Sequence, residues 1–285
     1  MLHRSTIQLL RFHFSLFLLP VYLFALSQLY VINWFCAVIV FIILHLLVYP
    51  SSNGYNSYMD KDETPIGGLS RPLQPTRQLF YASIIMDSIA LLLAAYLNRV
   101  LSLGILIYIL ASRAYSYRRI RLKKYPITGF ITVFLCQGAL VYFITSYTVQ
   151  VDHTNNVSFL CCFIAGLLIG ALYPLTQIYQ HEADIRDGVI TLSYLLGKRG
   201  TFIFSGGSFI LATVLLFIRF YQVKQLNNFV LFLLIMLPVV LYFMYWMHKV
   251  WNNEAEADFR HSLYMNILST TCTASFFITL IIQNH

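Results

Sequence analysis

Long apolar stretches follow one another along almost the whole chain. Each is close to 20 residues long, the length that an α-helix needs to cross a bilayer. The stretches are apolar on every side, whereas the strands of a membrane barrel alternate apolar and polar residues. We therefore predict an all-α integral membrane protein with about nine transmembrane helices. The predicted spans lie near residues 12–30, 34–50, 78–97, 100–117, 127–149, 157–179, 202–220, 228–247 and 263–283.

Composition and charge agree with a membrane location. The 285-residue chain is 59% hydrophobic and 11% charged, against about 25% charged residues in soluble proteins. With nine spans, all but three of the 19 Lys and Arg residues fall on the face of the N-terminus, the exceptions being Arg99, Arg219 and Lys224. Basic residues concentrate on the cytoplasmic side. We therefore expect a cytoplasmic N-terminus and an external C-terminus, in a membrane that we expect to be the bacterial inner membrane. The net charge of +8 then reflects this topology, and we expect no nucleic acid partner.

Two groups of acids stand out because their polar neighbours have helical spacing. Asn56 and Asp60 are four residues apart after the second span. The set after the sixth span consists of Gln177, Gln180 or His181, and Asp184. If both spans continue as helices beyond the membrane, each set forms one stripe of amide and carboxylate oxygens. Such oxygen ligands suit Mg²⁺, which combines one or two carboxylates with water and substrate phosphate.

The two acidic groups repeat the same order of features. Acids are followed by glycine and then by a base in "PIGGLSRP" after span two and in "DGVITLSYLLGKRG" after span six. The groups are four spans apart, which predicts two related halves with a four-helix period. We expect the two halves to face each other and to hold metal ions and an anion between them.

Three of these segments resemble the UbiA superfamily of intramembrane prenyltransferases. "NSYMD" with the later "RP" is similar to its first aspartate-rich motif, N-D-x-x-D-x-x-x-D followed by R-P. "QIYQHEADIRDGVITLSYLLG" is similar to the second motif, and "YSYRRIRLKKYPITG" resembles the basic loop between helices four and five. The resemblance implies a single domain over 1–285, with the first acidic motif at 53–72, the basic loop at 115–126 and the second acidic motif at 177–200.

The resemblance also implies a chemistry and the residues that carry it. It implies that a polyprenyl group moves from an isoprenoid diphosphate to a lipophilic, aromatic acceptor within membrane lipid, with Mg²⁺ as cofactor. The implied catalytic residues are Asp60 and Asp184. The implied metal ligands are Asn56, Asp60, Asp62, Glu63, Gln177, Gln180, His181 and Asp184. The implied diphosphate-binding residues are Arg71, Arg121, Lys123 and Lys198, and Tyr115 begins the same basic loop.

Several positions depart from the family pattern. Ser57 and Thr64 stand where the first motif has acids, although Asp62 and Glu63 are close enough to Thr64 to substitute. Gln177 and Gln180 replace acids of the second motif. The metal site therefore loses anionic ligands. Either neighbouring residues compensate, or the metal binds well only with diphosphate, or the chain is a repurposed, non-catalytic member of the same fold.

Two polar residues within predicted spans have open roles. Asp87 falls inside the third span, where an acid is costly and is a functional candidate, although a hydrogen-bonded helix contact is the alternative. His45 lies on the helical stripe of Asn56 and Asp60, so it either points into the proposed cavity or packs in the core. Asp87 is the main feature that favours a polytopic membrane transporter, whose site would lie near the midplane. The acids at the cytoplasmic rim favour an enzyme.

Overall fold

The computed structural model describes residues 3–151 and 156–284. In that part of the chain nine helices are long and apolar enough to cross a membrane, so the predicted helical membrane fold is confirmed. We number them α1 to α9, with the bounds Arg4–Ser27, Trp34–Asp60, Arg77–Leu97, Arg99–Ser116, Pro126–Val149, Phe159–Gln177, Leu192–Gln222, Leu226–Asn252 and Phe259–Asn284.

The helices form a closed ring. Each helix packs against the next one in sequence, and α9 returns to pack against α1. Buried aromatic rings join the ends of the ring, since Phe24 of α1 stacks on Phe277 of α9 with 4.7 Å between ring centroids. Phe24 also contacts Tyr142 of α5 at 4.8 Å. The outward side is apolar, with Leu92 and Ile282 among its exposed residues, as expected where helices face lipid.

Four of the nine helices are interrupted. The helical segments of α1 are Arg4–Leu10, Phe12–Ser15, the 3₁₀ turn Leu16–Leu18 and Leu19–Ser27. π-helical stretches divide α2 into Trp34–Phe41, Ile42–Val48 and Tyr49–Asp60, and α5 into Pro126–Val133, Phe134–Leu140 and Val141–Val149. In α7 the chain bends at Gly197, whose φ of 69° favours glycine. Interruptions of this kind change which side chains face the interior.

The last turns of α2 carry the first acidic motif as a helix, as the residue spacing predicts. Tyr49–Asp60 is continuous, and Lys61 ends it in the left-handed conformation at φ 55°. Asn56 and Asp60 therefore lie one turn apart on the same side of the helix. Gly54 lies against α3, where an added Cβ would come within 3.0 Å of Leu79 and 2.9 Å of a serine hydroxyl. This glycine lets α2 and α3 approach closely.

The second acidic motif does not continue α6, which corrects the prediction of one helical stripe. α6 ends at Gln177, and a separate short helix, His181–Arg186, follows. Ile178 in the intervening turn is fully buried, and Tyr179 packs edge-on against the first residue of α9. The burial of Ile178 and the contact of Tyr179 with α9 accompany the change of direction, so Asp184 lies on a separate element.

The orientation of the termini stays a prediction from the basic residues. We expect a reporter inserted in loop 118–124 to lie on the cytoplasmic side, because this loop holds the densest group of Arg and Lys. A reporter fused to the C-terminal end should lie on the opposite side. Alkaline phosphatase and green fluorescent protein fusions in bacterial cells measure both positions. Activity on the same side for both fusions would contradict the predicted orientation.

Candidate active site

A cavity of about 230 Å³ lies inside the bundle where α2, α4 and α6 end. Its walls change in character along its length. At the helix ends the lining is polar and charged, whereas further into the bundle it consists mainly of apolar and aromatic side chains. These include Phe14, Phe17, Leu18, Ile169 and Leu172. A cavity with one charged end and one apolar end matches the shape of an amphiphilic molecule.

Many of the predicted site residues line this one cavity. Residues from the first acidic motif, the basic loop and the second acidic motif meet there although long stretches of chain separate them. The lining includes Asn56, Asp60, Asp62, Tyr115, Lys123, Gln177, Gln180 and Asp184. The side-chain amide of Gln180 also donates a 3.2 Å hydrogen bond to the carbonyl of Pro65, which ties the two acidic motifs together.

Two predicted residues of the first motif lie outside the cavity. Glu63 and Arg71 are exposed and are not part of its lining. The chain turns after Lys61 and runs back over α1, where the Gln8 side chain donates a 3.3 Å hydrogen bond to the carbonyl of Arg71. This path separates Glu63 and Arg71 from the carboxylates that line the cavity, and their roles in metal and diphosphate binding stay predictions.

Two predicted residues of the second motif are engaged elsewhere. His181 Nε2 lies 2.8 Å from the hydroxyl of Ser193, so the imidazole joins the short helix to the start of α7. Lys198 Nζ donates a 2.9 Å hydrogen bond to the carbonyl of Glu254, across the loop between α8 and α9. Neither side chain lines the cavity. Both side chains join neighbouring elements in this structure, and their roles as ligands stay predictions.

His45 and Asp87 also lie outside the cavity lining. His45 is fully buried and stacks on Phe41 with ring centroids 4.8 Å apart. The π-helical stretch Ile42–Val48 changes the register between His45 and Asn56, so the stripe expected for a straight helix does not reach His45. Asp87 forms an ion pair with Arg113 between α3 and α4.

The basic loop supplies the counter-charges of Asp60. Lys123 and Arg121 both contact its carboxylate, Lys123 through Oδ2 and Arg121 through Oδ1 at 3.5 Å. Arg121 also pairs with Asp187, which lies within the second acidic motif. Arg121 adopts φ 50° and precedes the 3₁₀ turn Leu122–Lys124, which points both basic side chains toward the acids. Arg121 is not part of the cavity lining and therefore supports the site from behind.

Burial, together with the charges of neighbouring groups, changes the pKa values of the carboxyl groups at the site. Burial, reinforced by the charges of Asp60 and Asp62, raises the pKa of Asp184 to about 7. Burial and the charge of Asp60 raise the pKa of Asp62 to about 6. Burial alone would raise the pKa of Asp187, but its hydrogen bond to Arg121 holds the pKa below the ordinary value. Three carboxyl groups, those of Asp60, Asp62 and Asp184, line the cavity together with two basic side chains, those of Arg11 and Lys123.

The lining residues fit a hard divalent cation. Asp184 Oδ2 and Gln177 Oε1 are buried and receive no hydrogen bond from the residues that the structure describes. Buried oxygen atoms without a partner are costly unless another group satisfies them. Asp60 and Asp62 bring carboxylates from the other side of the cavity. Carboxylate and amide oxygens are the ligands that Mg²⁺ accepts, so Gln177 offers the right atom but not the charge of an acid.

Arg11 is a site residue that the motifs do not identify. It lines the cavity, is 6% exposed and breaks α1 with φ 48°. Its guanidinium donates to the carbonyl of Gly67 at 3.2 Å and to the carbonyl of Asn53 at 3.4 Å, while its Nε has no partner among the described residues. The one indication in the sequence was that Arg11 is a basic residue next to a long apolar stretch.

Tyr173 is a second residue of this kind. Its hydroxyl bonds to that of Tyr115 and accepts a 2.7 Å hydrogen bond from Nε2 of Gln177. This bond fixes the amide so that Oε1 stays free, because Nε2 is already engaged. The position of Tyr173, one helical turn before Gln177, was the signal that could have indicated it.

The raised pKa of Asp184 predicts a pH-dependent stability. A carboxyl with a raised folded-state pKa stabilises the protein in its protonated form, fully below pH about 4, and the effect disappears as pH rises through about 7. His181, whose pKa burial lowers to about 4, acts in the opposite direction but only below pH about 6.5. We expect metal-free protein to lose roughly 1 kcal/mol of stability between pH about 6.5 and 8 through Asp184, measured by thermal unfolding.

The control for this experiment is Asp184→Asn. It should be less dependent on pH than the wild type over the same interval, so the difference between the two curves isolates the carboxyl. Saturating Mg²⁺ should stabilise the wild type more at the upper end of the interval, where the carboxylate is free of its proton. Parallel curves for the two proteins would contradict the role of Asp184.

Comparison with known proteins identifies the family. The model of the UbiA prenyltransferase family matches residues 10–269. Because this match covers most of the sequence, the chain belongs to the UbiA prenyltransferase family, whose members are prenyltransferases. No curated protein sequence gives a significant match.

Solved structures share the fold. A UbiA homologue from Archaeoglobus fulgidus bound to GPP and Mg²⁺ superimposes with a TM-score of 0.72 at 17% identity, over 98% of this chain and 99% of that chain. Digeranylgeranylglyceryl phosphate synthase gives a TM-score of 0.63 at 19% identity, over 98% of both chains. A UbiA homologue from Aeropyrum pernix K1 gives 0.69 at 16% identity, over 94% and 98%. At these identities the likeness establishes the fold.

Proposed function

We propose that the protein is a Mg²⁺-dependent intramembrane prenyltransferase. It would transfer a polyprenyl group from an isoprenoid diphosphate to a lipophilic, aromatic acceptor. The observation that carries the proposal is the cavity itself, in which buried acids from two distant motifs meet at one end and apolar side chains line the other. The A. fulgidus homologue, solved with GPP and Mg²⁺ and also with DMAPP and Mg²⁺, lends support from the same fold.

The acidic end would hold the metal. Asn56, Asp60 and Asp62 offer oxygens from α2 and the loop after it, and Gln177 and Asp184 offer oxygens from the other side. When bound, Mg²⁺ neutralises the charge of diphosphate and makes it a better leaving group. A pKa of about 7 for Asp184 means that metal would compete with a proton there. Metal affinity should therefore fall as the pH falls below about 7.

Two basic side chains would bind the phosphate oxygens directly. Lys123 lines the cavity beside Asp60, and Arg11 lines it from α1 with its Nε free of any described partner. Hydrogen bonds between cationic donors and phosphate oxygens are strong. Arg121 would act through Asp60, which it contacts at 3.5 Å. As diphosphate leaves, these groups stabilise the negative charge that develops on it.

The apolar end would hold the isoprenoid chain and exclude water. Phe14, Phe17 and Tyr108 bring aromatic rings to the lining. Aromatic faces can stabilise the positive charge that develops on the prenyl carbon as the carbon–oxygen bond breaks. That carbon would then bond to the acceptor ring, diphosphate would leave with the electron pair of the broken carbon–oxygen bond, and an oxygen of the released diphosphate would take the ring proton. Exclusion of water from this region protects the reactive carbon from hydrolysis.

The transporter alternative loses the feature that favoured it. Asp87 is paired with Arg113 and Ser51 outside the cavity lining. The polar groups that line the cavity concentrate at the helix ends, where α2 stops at Asp60 and α6 stops at Gln177. A site at the rim suits an amphiphilic substrate that enters from the bilayer.

Purified protein in lipid vesicles tests the proposal. The protein is incubated with radiolabelled prenyl diphosphates of several lengths and a panel of aromatic acceptors. We expect label to appear in a lipophilic product with Mg²⁺ and not with excess EDTA, because diphosphate leaves poorly without a metal. Protein carrying Asp184→Asn serves as the matched control for background. Mg²⁺-dependent binding of the donor without transfer to any acceptor would favour the non-catalytic alternative, and binding that survives EDTA unchanged would contradict the metal site.

A further inference from the structure

A buried ion pair joins three helices next to the site but takes no part in the proposed chemistry. Asp87 of α3 pairs with Arg113 of α4, and their side chains are 12% and 18% exposed. The hydroxyl of Ser51 on α2 accepts a 2.8 Å hydrogen bond from Arg113 and contacts the carboxylate of Asp87. The guanidinium also lies over the ring of Tyr55 on α2, 4.1 Å from its centroid. Charged groups inside a membrane protein are costly and are kept where they have a role.

Two further polar contacts join α2 and α4 between the ion pair and the proposed metal site. The hydroxyls of Ser52 on α2 and Ser112 on α4 are 2.6 Å apart. One turn further along α2, Asn56 Oδ1 accepts a 3.1 Å hydrogen bond from the hydroxyl of Ser116. These four residues line the cavity. Through Ser51, the ion pair makes the first of three successive polar contacts along α2 and α4. The last of the three holds Asn56, a proposed metal ligand.

We infer that the Asp87–Arg113 pair is a positioning element that fixes the register of α2 against α4. A helix that slips by one residue moves about 1.5 Å and must rotate by about 100° to regain its contacts. Such a change would turn Asn56 and Asp60 away from Asp184. Buried ion pairs often add little to stability, but they can select one arrangement over others. The effect of register on the metal ligands rests on the proposed function, but the register itself can be measured independently.

Disulfide formation between α2 and α4 measures the register. Ser52→Cys and Ser112→Cys are introduced into protein whose five native cysteines are replaced by alanine. In this background Asp87→Leu with Arg113→Met removes both charges together, so that no single buried charge is left unpaired. We expect the disulfide to form several-fold more slowly in the protein that lacks the ion pair, because a slipped register moves the two cysteines out of the geometry that a disulfide requires. Equal rates with and without the pair would overturn the inference.

The metal response gives a second readout. Without the introduced cysteines, the protein lacking the ion pair should need about tenfold more Mg²⁺ for half of its maximal thermal stabilisation, as for other residues that orient metal ligands. The protein that lacks the ion pair but carries the two introduced cysteines should need less Mg²⁺ once the disulfide has formed, close to the amount needed by the cysteine-containing protein with the ion pair. Reduction of the disulfide should raise the Mg²⁺ requirement again. A requirement that oxidation does not change would contradict the role of register.

A destabilised control separates positioning from general stability. Phe232→Leu on α8 loosens a buried ring that contacts Phe276 at 5.2 Å, on helices that carry none of the three polar contacts. It should lower thermal stability without changing the disulfide rate or the Mg²⁺ requirement. If the wild type neither responds to Mg²⁺ nor transfers a prenyl group, the proposed function fails, while the disulfide rate still tests the register. If the wild type transfers normally and the ion pair affects neither readout, only this inference fails.

Discussion

Asp60→Asn or Asp184→Asn alone should lower the rate of prenyl transfer by roughly 100-fold or more. The two substitutions together should lower the rate little more than either one does alone. Asp60 and Asp184 line the same cavity from two motifs. Each replacement preserves the size of the side chain but removes a negative charge from the set that would hold the metal. Because both would support the same complex of metal and diphosphate, loss of either disables the unit. Initial rates of label transfer for the four proteins measure this directly.

Glu182→Gln is the matched control for these substitutions. Glu182 belongs to the same short helix as Asp184, but its side chain is 91% exposed and pairs only loosely with Arg186 at 3.7 Å. This variant should transfer at nearly the wild-type rate. Raised Mg²⁺ should partly restore Asp60→Asn, because mass action offsets weaker coordination. Rate losses that multiply in the double variant would show that Asp60 and Asp184 act separately and would overturn the shared site.

Features that depend on local properties of the chain were readable from the sequence. A membrane span requires only length and apolarity, both of which can be judged along one stretch. The helical spacing of Asn56 and Asp60 is realised because Tyr49–Asp60 continues as a helix past the apolar part of α2. Opposed acids after spans two and six were predictable from their order along the chain, and Asp60 and Asp184 do line one cavity.

Features that depend on distant contacts were not readable. Lys198 lies within the second acidic motif, yet its amine donates a hydrogen bond to the carbonyl of Glu254, 56 residues later. His181 follows the expected spacing, but the turn after α6 aims its ring at Ser193 instead of the cavity. Each contact depends on how the chain folds after α6, because the partner of Lys198 lies 56 residues later and the partner of His181 lies at the start of the next long helix. No periodicity within the motif contains that information.

Arg11 illustrates a different limit. The chain around it, "LLRFHF", contains no glycine or proline, so nothing local indicates that the helix breaks there. The left-handed conformation is accompanied by hydrogen bonds to Gly67 and Asn53, which the loop after α2 and the end of α2 bring to that point. Site residues created by such long-range contacts require the three-dimensional structure to find them.

Lys123→Ala should raise the KM for the prenyl diphosphate by roughly tenfold to a hundredfold, the value of one hydrogen bond to a charged group. Lys123 lines the cavity and contacts Asp60, so its amine lies where diphosphate and metal would meet. The KM for the acceptor should change little. Arg121→Ala should also raise the KM for the donor, but with a larger loss of thermal stability, because its removal leaves Asp60 and Asp187 without a shared partner. Titration of the donor at saturating acceptor measures the first effect, and thermal unfolding measures the second.

Lys124→Ala is the control that separates direct binding of diphosphate by Lys123 from the general positive potential of the loop. Lys124 is the next residue of the same basic loop, but it lies over the ring of Tyr125 at 4.9 Å and is not part of the cavity lining. It contributes the same charge to the positive potential of the loop and to the predicted orientation in the membrane. If the loop acts only through that potential, Lys123→Ala and Lys124→Ala should raise the KM for the donor equally. A selective effect of Lys123→Ala, little affected by added salt, would show that its amine binds the diphosphate within the cavity, where a partly buried contact is screened weakly.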